Sequence, residues 1–254
     1  MIRVVFLGYG NVNYHLCKML HTIDNVTVCQ IYNRSDVLNY PRERSIPFTR
    51  SLSELMEADI YIVGIPDDAI TLFSEQIPLE NMLVVHTSGG VEMNALSSKN
   101  RKGVFYPLQS FSKIREIDFT NIPVCIEAEN NSDLNLLYNL GRYLSEKVVE
   151  VNSAKRLKLH LAAVFVNNFT NYMYQIGSDI VEESDLPFDL LHPLIAETAM
   201  KIESLSPIEA QTGPARRNDL KTIEKHLHLL QQSPYKELYE HITKAIQSTY
   251  GKKL

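Results

Sequence analysis

The sequence predicts an α/β protein: a doubly wound, mostly parallel sheet followed by an all-α region. Three observations carry that prediction. The chain opens on a short, β-branched apolar run, Ile2 to Leu7, that breaks at Gly8 and Gly10 and gives way to Tyr14 to Leu20, apolar at helical spacing. Further strand-length apolar runs then alternate with helical segments as far as Val151. Beyond Asn152-Ser153 no strand-like run occurs and the pattern is helical to the end. The expected boundary divides residues 1–152 from residues 153–254.

The first element is a strand, a tight turn and a helix. Gly8 permits a backbone conformation closed to other residues, and Gly10 lets the main chain approach a pyrophosphate at a helix N-terminus. The implied ligand is a dinucleotide, and the implied fold is of the Rossmann type. Asn13 stands where such turns carry a third glycine, and is expected either to cap the helix or to hold it further from the strand. The second strand, Val26 to Tyr32, ends at Asn33-Arg34-Ser35, where the adenosine ribose is selected. Arg34 with Ser35 suits a 2′-phosphate and hence NADP, while the acidic Asp36 beside them keeps NAD open as the lesser choice. As a plain strand-end charge, Arg34 would instead be solvated.

A short strand at Ser45 to Phe48, a helix at Leu52 to Glu57 and a strand from Asp59 to Pro66 come next. Asp67-Asp68 opens a helix at Ala69 to Ile77 and reads as capping and dipole chemistry rather than as a metal or acid–base pair. The strand Met82 to Val85 exits into His86-Thr87-Ser88, and Gly103 to Tyr106 exits into Pro107-Leu108-Gln109. Open α/β sheets bind ligands at these strand ends, although ordinary turn chemistry uses the same residues. Strand Val124 to Ile126, helix Asp133 to Ser145 and strand Val148 to Val151 complete the sheet.

Ser153 starts a long helix. At about 100° per residue His160, Asn167, Asn171 and Tyr174 fall on one stripe, which needs a polar cleft or an internal hydrogen-bond network. Pro187 suits the first turn of the following helix, Leu190 to Ala199, with Pro193 as an early kink. The polar stretch Ser206 to Asp219 reads as a binding loop, and helices at Leu220 to Gln231 and Tyr235 to Thr249 end the chain.

Composition narrows the class. With 254 residues and 44% hydrophobic content the chain can build one large or two modest cores. No apolar run has the length of a membrane span and the N-terminus carries no signal-peptide pattern, so a cytoplasmic protein without membrane partners is expected. Cys17, Cys29 and Cys125 are isolated, with no metal-ligand spacing, and are expected as small buried hydrophobes. A formal net charge of −5 without a basic run argues against a nucleic-acid partner.

Taken together, Gly8-x-Gly10-Asn11-Val12, Asn33-Arg34-Ser35, Pro66-Asp67-Asp68, His86-Thr87-Ser88-Gly89, Phe105 to Lys113, His160 to Asn171 and Gln211 to Arg216 resemble a family of Rossmann-like bacterial proteins. Its members carry a C-terminal helical domain of unknown function and are described as candidate NADP oxidoreductases. The layout is similar to pyrroline-5-carboxylate reductase, ketopantoate reductase, the β-hydroxyacid dehydrogenases and deazaflavin-dependent NADP reductase. The resemblance implies a homodimer formed through the helical domain. One departure is clear: the lysine that β-hydroxyacid dehydrogenases place four residues before an asparagine is replaced here by Ala163, before Asn167, and by Val164, before Asn168.

The expected activity is hydride transfer between NADP(H) and a small carbonyl, imine or hydroxy compound, or a deazaflavin. In that reading Gly8, Tyr9, Gly10, Asn11 and Val12 hold the pyrophosphate, Asn33, Arg34 and Ser35 the phosphorylated ribose, and Ile65, Pro66 and Thr87 the nicotinamide side. His86, Ser88 and Gln109 line the substrate, His160 supplies a proton, Asn167 orients, and Arg216, or Arg217, binds an anionic substrate group. The alternative is a non-catalytic NADP(H)-binding sensor or scaffold.

Overall fold

In a computed structural model the described residues are 1–35 and 46–250. Asp36 and Ser45 lie outside them. Contacts divide the chain into two compact units, Met1–Asn168 and Phe169–Leu254.

Among its described residues the first unit holds eight strands: β1 (Ile2–Leu7), β2 (Val26–Tyr32), β3 (Phe48–Thr49), β4 (Ile60–Val63), β5 (Leu83–His86), β6 (Arg101–Pro107), β7 (Val124–Ala128) and β8 (Val148–Glu150). They form one sheet in the order β3-β2-β1-β4-β5-β6-β7-β8. Every pairing is parallel except β6 with β7, which run antiparallel. Chain order reverses between β1 and β4, so a ligand crevice is expected at their carboxyl ends. The sheet is doubly wound because β1 is apolar on both faces. Val4 and Phe6 join a core with α1 (Asn11–Leu20) and α3 (Asn131–Arg142), through Leu16, Leu20, Leu137 and Leu140. Val5 and Leu7 join the opposite core with α2 (Ile70–Gln76), through Ile70 and Phe73. Sheets buried on both faces produce such near-continuous apolar runs.

Some local expectations change. The helix expected at Leu52 to Glu57 is a single 3-10 turn, Leu52–Glu54, and Asp67–Ala69 is a 3-10 turn leading into α2. Cys17 and Cys125 are buried, but Cys29 is only half-buried. After β8 comes α4 (Ser153–Ala163), then a π-helical stretch, Val164–Phe169. In that stretch π-type bonding alters the residue phase. His160 and Asn167 line one cavity, whereas Asn171 and Tyr174 belong to the second unit.

The second unit is all helical: α5 (Thr170–Glu182), α6 (His192–Ser204), the short α7 (Pro207–Ala210), α8 (Leu220–Leu229) and α9 (Lys236–Tyr250). Pro187 precedes a 3-10 turn, Phe188–Leu191, and Pro193 lies in the first turn of α6 instead of kinking it, because a first-turn proline sacrifices no helical hydrogen bond. The stretch expected as one loop contains α7, fixed by a reciprocal capping box between Ser206 and Glu209. Among the described residues no helix is long and apolar enough to cross a membrane.

Candidate functional site

The turn after β1 is built so that only glycine fits its first position. Gly8 has φ +86°, and a Cβ there would lie 2.5 Å from Ile65 Cγ2 and 2.8 Å from the Gly64 carbonyl oxygen. Asn33, at the end of β2, holds the next residue: the Tyr9 N–H donates to Asn33 Oδ1 at 3.1 Å, and Asn33 Nδ2 donates to the Ser35 carbonyl at 2.9 Å. Gly10 caps α1 without any side-chain hydrogen bond. These groups wall a cavity of about 480 Å³ that brings together Gly8, Tyr9, Gly10, Asn33, Arg34, Ile65 and Pro66. A bare glycine turn opening on a cavity at a helix N-terminus fits a dinucleotide pyrophosphate. Asn11 and Val12 serve other contacts: Asn11 Nδ2 donates to the Phe111 carbonyl at 3.0 Å, and Val12 packs on the core.

Residues 111–116 form a strap across α1. Beside the Asn11 bond, His15 Nε2 donates to the Ser112 carbonyl at 2.9 Å, and Lys113 Nζ donates to the Tyr9 carbonyl at 2.9 Å. The Lys113 ammonium also sits 5.4 Å from the Tyr9 ring centroid and 5.5 Å from that of Tyr14, and burial lowers its pKa.

Asn13 does not cap the helix, which Gly10 begins. Its side chain is fully buried, and Nδ2 donates to the Gly8 carbonyl at 2.8 Å and the Ile62 carbonyl at 3.1 Å. The room comes from Gly64, where a Cβ would lie 2.4 Å from Asn13 Cγ. Gly64, at β4's exit, thus gives the Asn13 side chain its space, and the amide ties β1's exit to β4 at the point where chain order reverses.

A second cavity, of about 670 Å³ and formed wholly within the first unit, shares the Pro66-Asp67 turn with the first. Thr87, Ser88, Gln109, His160 and Asn167 all line it, with Asp67, Tyr106 and Asn168. Tyr106, from the end of β6, is 3.2 Å from His160 Nδ1 through its hydroxyl. Burial pushes the Tyr106 pKa up to about 12, so the phenol is protonated at neutral pH. Gly89 makes room for this pair, since a Cβ there would lie 2.7 Å from both His160 Nδ1 and Tyr106 Cζ. Ser88 Oγ accepts from the Gly90 and Val91 N–H groups, each at 3.1 Å, and Gln109 Oε1 accepts from the Ser110 N–H at 2.8 Å.

His86 lies behind this wall. It is fully buried, and its Nδ1 accepts from the Ser88 N–H at 3.2 Å. Burial, with the positive charge of Arg156, lowers its pKa to about 4 and keeps it neutral. Arg216 lies in the second unit, where it donates to the Glu209 carbonyl at 3.2 Å and to the Gln211 carbonyl, with its guanidinium over the Tyr250 ring. There it secures its own loop.

The helix bearing His160 is anchored one turn earlier. Arg156 is buried and pairs with Glu127 of β7, while also donating to the Val91 carbonyl and to Ser153 Oγ. Glu127 in turn accepts from the Ser153 N–H at 2.9 Å and from its hydroxyl at 2.8 Å. Because Arg156 and His160 are four residues apart, the ion pair and the cavity-lining imidazole share a helix face.

A solved structure from Bacteroides fragilis, that of the candidate NADP oxidoreductase BF3122, is 38% identical to this chain, covering 97% of it and 98% of the other, with a TM-score of 0.88. The chain belongs to the BF3122 family. Protein TM1727 from Thermotoga maritima shares the fold at 21% identity, covering 98% of this chain and 99% of that one, with a TM-score of 0.72. So does an imine reductase from Myxococcus stipitatus in complex with NADP⁺, at 11% identity, 99% and 95% coverage and a TM-score of 0.70. Residues 122–246 match a domain of unknown function, DUF2520. A search of curated proteins found no match.

In this member of the BF3122 family, sequence reading overlooked Tyr106, Asp67, Lys113 and the Arg156–Glu127 pair as parts of the site. Tyr106 carried a usable signal, being a polar-tipped aromatic at a strand's carboxyl end. Asp67 was expected as a cap, but it makes no capping hydrogen bond and lines the second cavity instead.

Proposed function

We propose that this BF3122-family chain is an NADP-dependent oxidoreductase acting on a small molecule. Residues 1–152 would bind the dinucleotide, and residues 153–254 would contribute to substrate binding and to a homodimer. The observation that carries the reading is the adjacency of the two cavities at the carboxyl ends of neighbouring strands. One is walled by the glycine turn and Arg34, and the other holds a proton-carrying pair, Tyr106 and His160. The description of BF3122 as a candidate NADP oxidoreductase supports it.

Bound NADPH supplies hydride, and the chain's residues do the rest. Gly8, Tyr9 and Gly10 give the backbone its approach to the pyrophosphate, Arg34 neutralises the 2′-phosphate, and Ile65 with Pro66 walls the nicotinamide side. The Tyr106 hydroxyl holds the proton for the substrate heteroatom, and His160 exchanges it at Nδ1. Asn167 and Asn168 offer amides that orient the substrate, and Ser88 and His86 shape the wall. With Ala163 and Val164 where the β-hydroxyacid dehydrogenases have a lysine, the proton transfer in this reading falls to the tyrosine–histidine pair. A family member that binds NADP(H) without turnover is the second reading, and the missing lysine favours it.

Calorimetric titration with NADPH and NADH tests the cofactor assignment. NADPH should bind at least about tenfold more tightly, a difference of roughly 1.4 kcal/mol, and Arg34→Ala should remove most of it. Equal binding of the two by the wild type refutes the role given to Arg34. NADPH consumption with any cyclic imine or ketone separates the enzyme from the sensor.

A further inference from the structure

The second cavity has a polarity that the cofactor reading leaves unused. Among its lining residues Asp67 carries a carboxylate, and no lysine or arginine lines it. Among the described residues no ion pair neutralises Asp67, and the 3-10 turn it begins is capped by Pro66 without a side-chain bond. Its carboxylate points towards Gly90, whose Cβ would lie 3.4 Å from Asp67 Oδ2, and its charge acts on the Tyr106 phenol. The positive charge of Arg156 is spent elsewhere, since that guanidinium is buried and paired with Glu127. The same lining includes the apolar side chains of Leu108, Leu159 and Val166.

We infer that this cavity selects a cationic nitrogen, an iminium or protonated amine on a compact aliphatic frame, and rejects carboxylates. The inference rests on the second cavity being the substrate cavity of the proposed oxidoreductase. A cation gains attraction to Asp67, and its N–H groups find acceptors in that carboxylate and in the amide oxygens of Asn167 and Asn168. An opposite charge nearby also favours the protonated form of an imine, the form that accepts hydride. A carboxylate placed there would face Asp67 in a cavity whose described lining residues include no lysine or arginine, His160 being its one imidazole. The volume, about 670 Å³, is within the range of small-molecule sites.

The test is calorimetry on the full chain at neutral pH, with and without NADPH, using piperidine as the cation, cyclohexanecarboxylate as the anion and cyclohexanone as the neutral probe. Piperidine should bind more tightly than either of the others. Asp67→Asn should weaken it by at least about fivefold, while Asp67→Glu should retain it. Asp67 is exposed, so these variants are expected to fold. Carboxylate binding equal to or tighter than piperidine binding, piperidine binding unchanged in Asp67→Asn, or no piperidine binding by the wild type would each overturn the inference. A separate NADPH titration of the wild type reads the cofactor proposal: no NADPH binding with piperidine selectivity intact would sink that proposal and leave the cation site standing.

Discussion

His86 and Tyr106 end neighbouring parallel strands, yet burial acts on them in opposite senses: it disfavours the charged imidazole and the charged phenolate, lowering one pKa to about 4 and raising the other to about 12. The histidine consequence is measurable as stability. As pH falls below about 6.5, an unfolded chain protonates this residue first, and the folded chain follows only near its own lower value. Stability from the neutral His86 is therefore full above 6.5 and declines towards 4, by roughly 2 kcal/mol between pH 7 and 5. Denaturant titrations should show that His86→Asn, which keeps a polar group for the Ser88 N–H, loses most of this pH dependence. An identical slope in the variant would show that the loss arises elsewhere. At the same scale, Asn13 illustrates why one residue in a motif is hard to read alone. Its meaning depends on Gly64, fifty-one positions away, whose missing side chain makes the space that the amide fills.

The element that matters most to the proposed chemistry is α4. Its start is held by the Asn152 cap, whose side chain accepts from the Lys155 N–H at 3.0 Å, and by the Glu127 carboxylate beneath Ser153 and Arg156. Breaking a buried ion pair on one side leaves the other charge uncompensated, at a cost of about 3 to 5 kcal/mol. Arg156→Met should therefore destabilise by roughly that amount, and the double variant with Glu127→Gln by clearly less than the sum of the two singles. Additive losses in equilibrium denaturation would mean that the two side chains do not act as a unit. A helix from Ser153 was legible because apolar spacing is local. The π-helical stretch that carries Asn167 and Asn168 was not, since it is a change in hydrogen-bond partner within an otherwise helical pattern.

On the scale of the whole molecule, the helical unit leaves large apolar side chains exposed, among them Leu190, Leu194, Met200, Ile202, Ile208 and Leu229. These side chains are the ones the proposed homodimer would cover. Sedimentation velocity should return a dimer at micromolar concentration, and Leu194→Glu combined with Met200→Glu should shift it towards monomer. A monomeric wild type would remove the dimer from the proposal.

Sequence alone determined the architecture and one wall of the site. The strand runs, the glycine turn and the residues that follow each strand end are encoded in short stretches, and in parallel sheets strand ends fall on one edge by topology. That is why Gly8, Gly10, Asn33, Arg34 and Pro66 could be read as neighbours before any coordinates. Tertiary structure alone decided the rest: that Asn13 nests against Gly64, that Arg156 meets Glu127, that Tyr106 reaches His160 and that Asp67 lines a cavity with no lysine or arginine among its described lining residues. Each depends on a distance between segments far apart in the chain. Local patterns carry periodicity and turn chemistry, but hold no record of which distant side chain will occupy the space that a glycine leaves open.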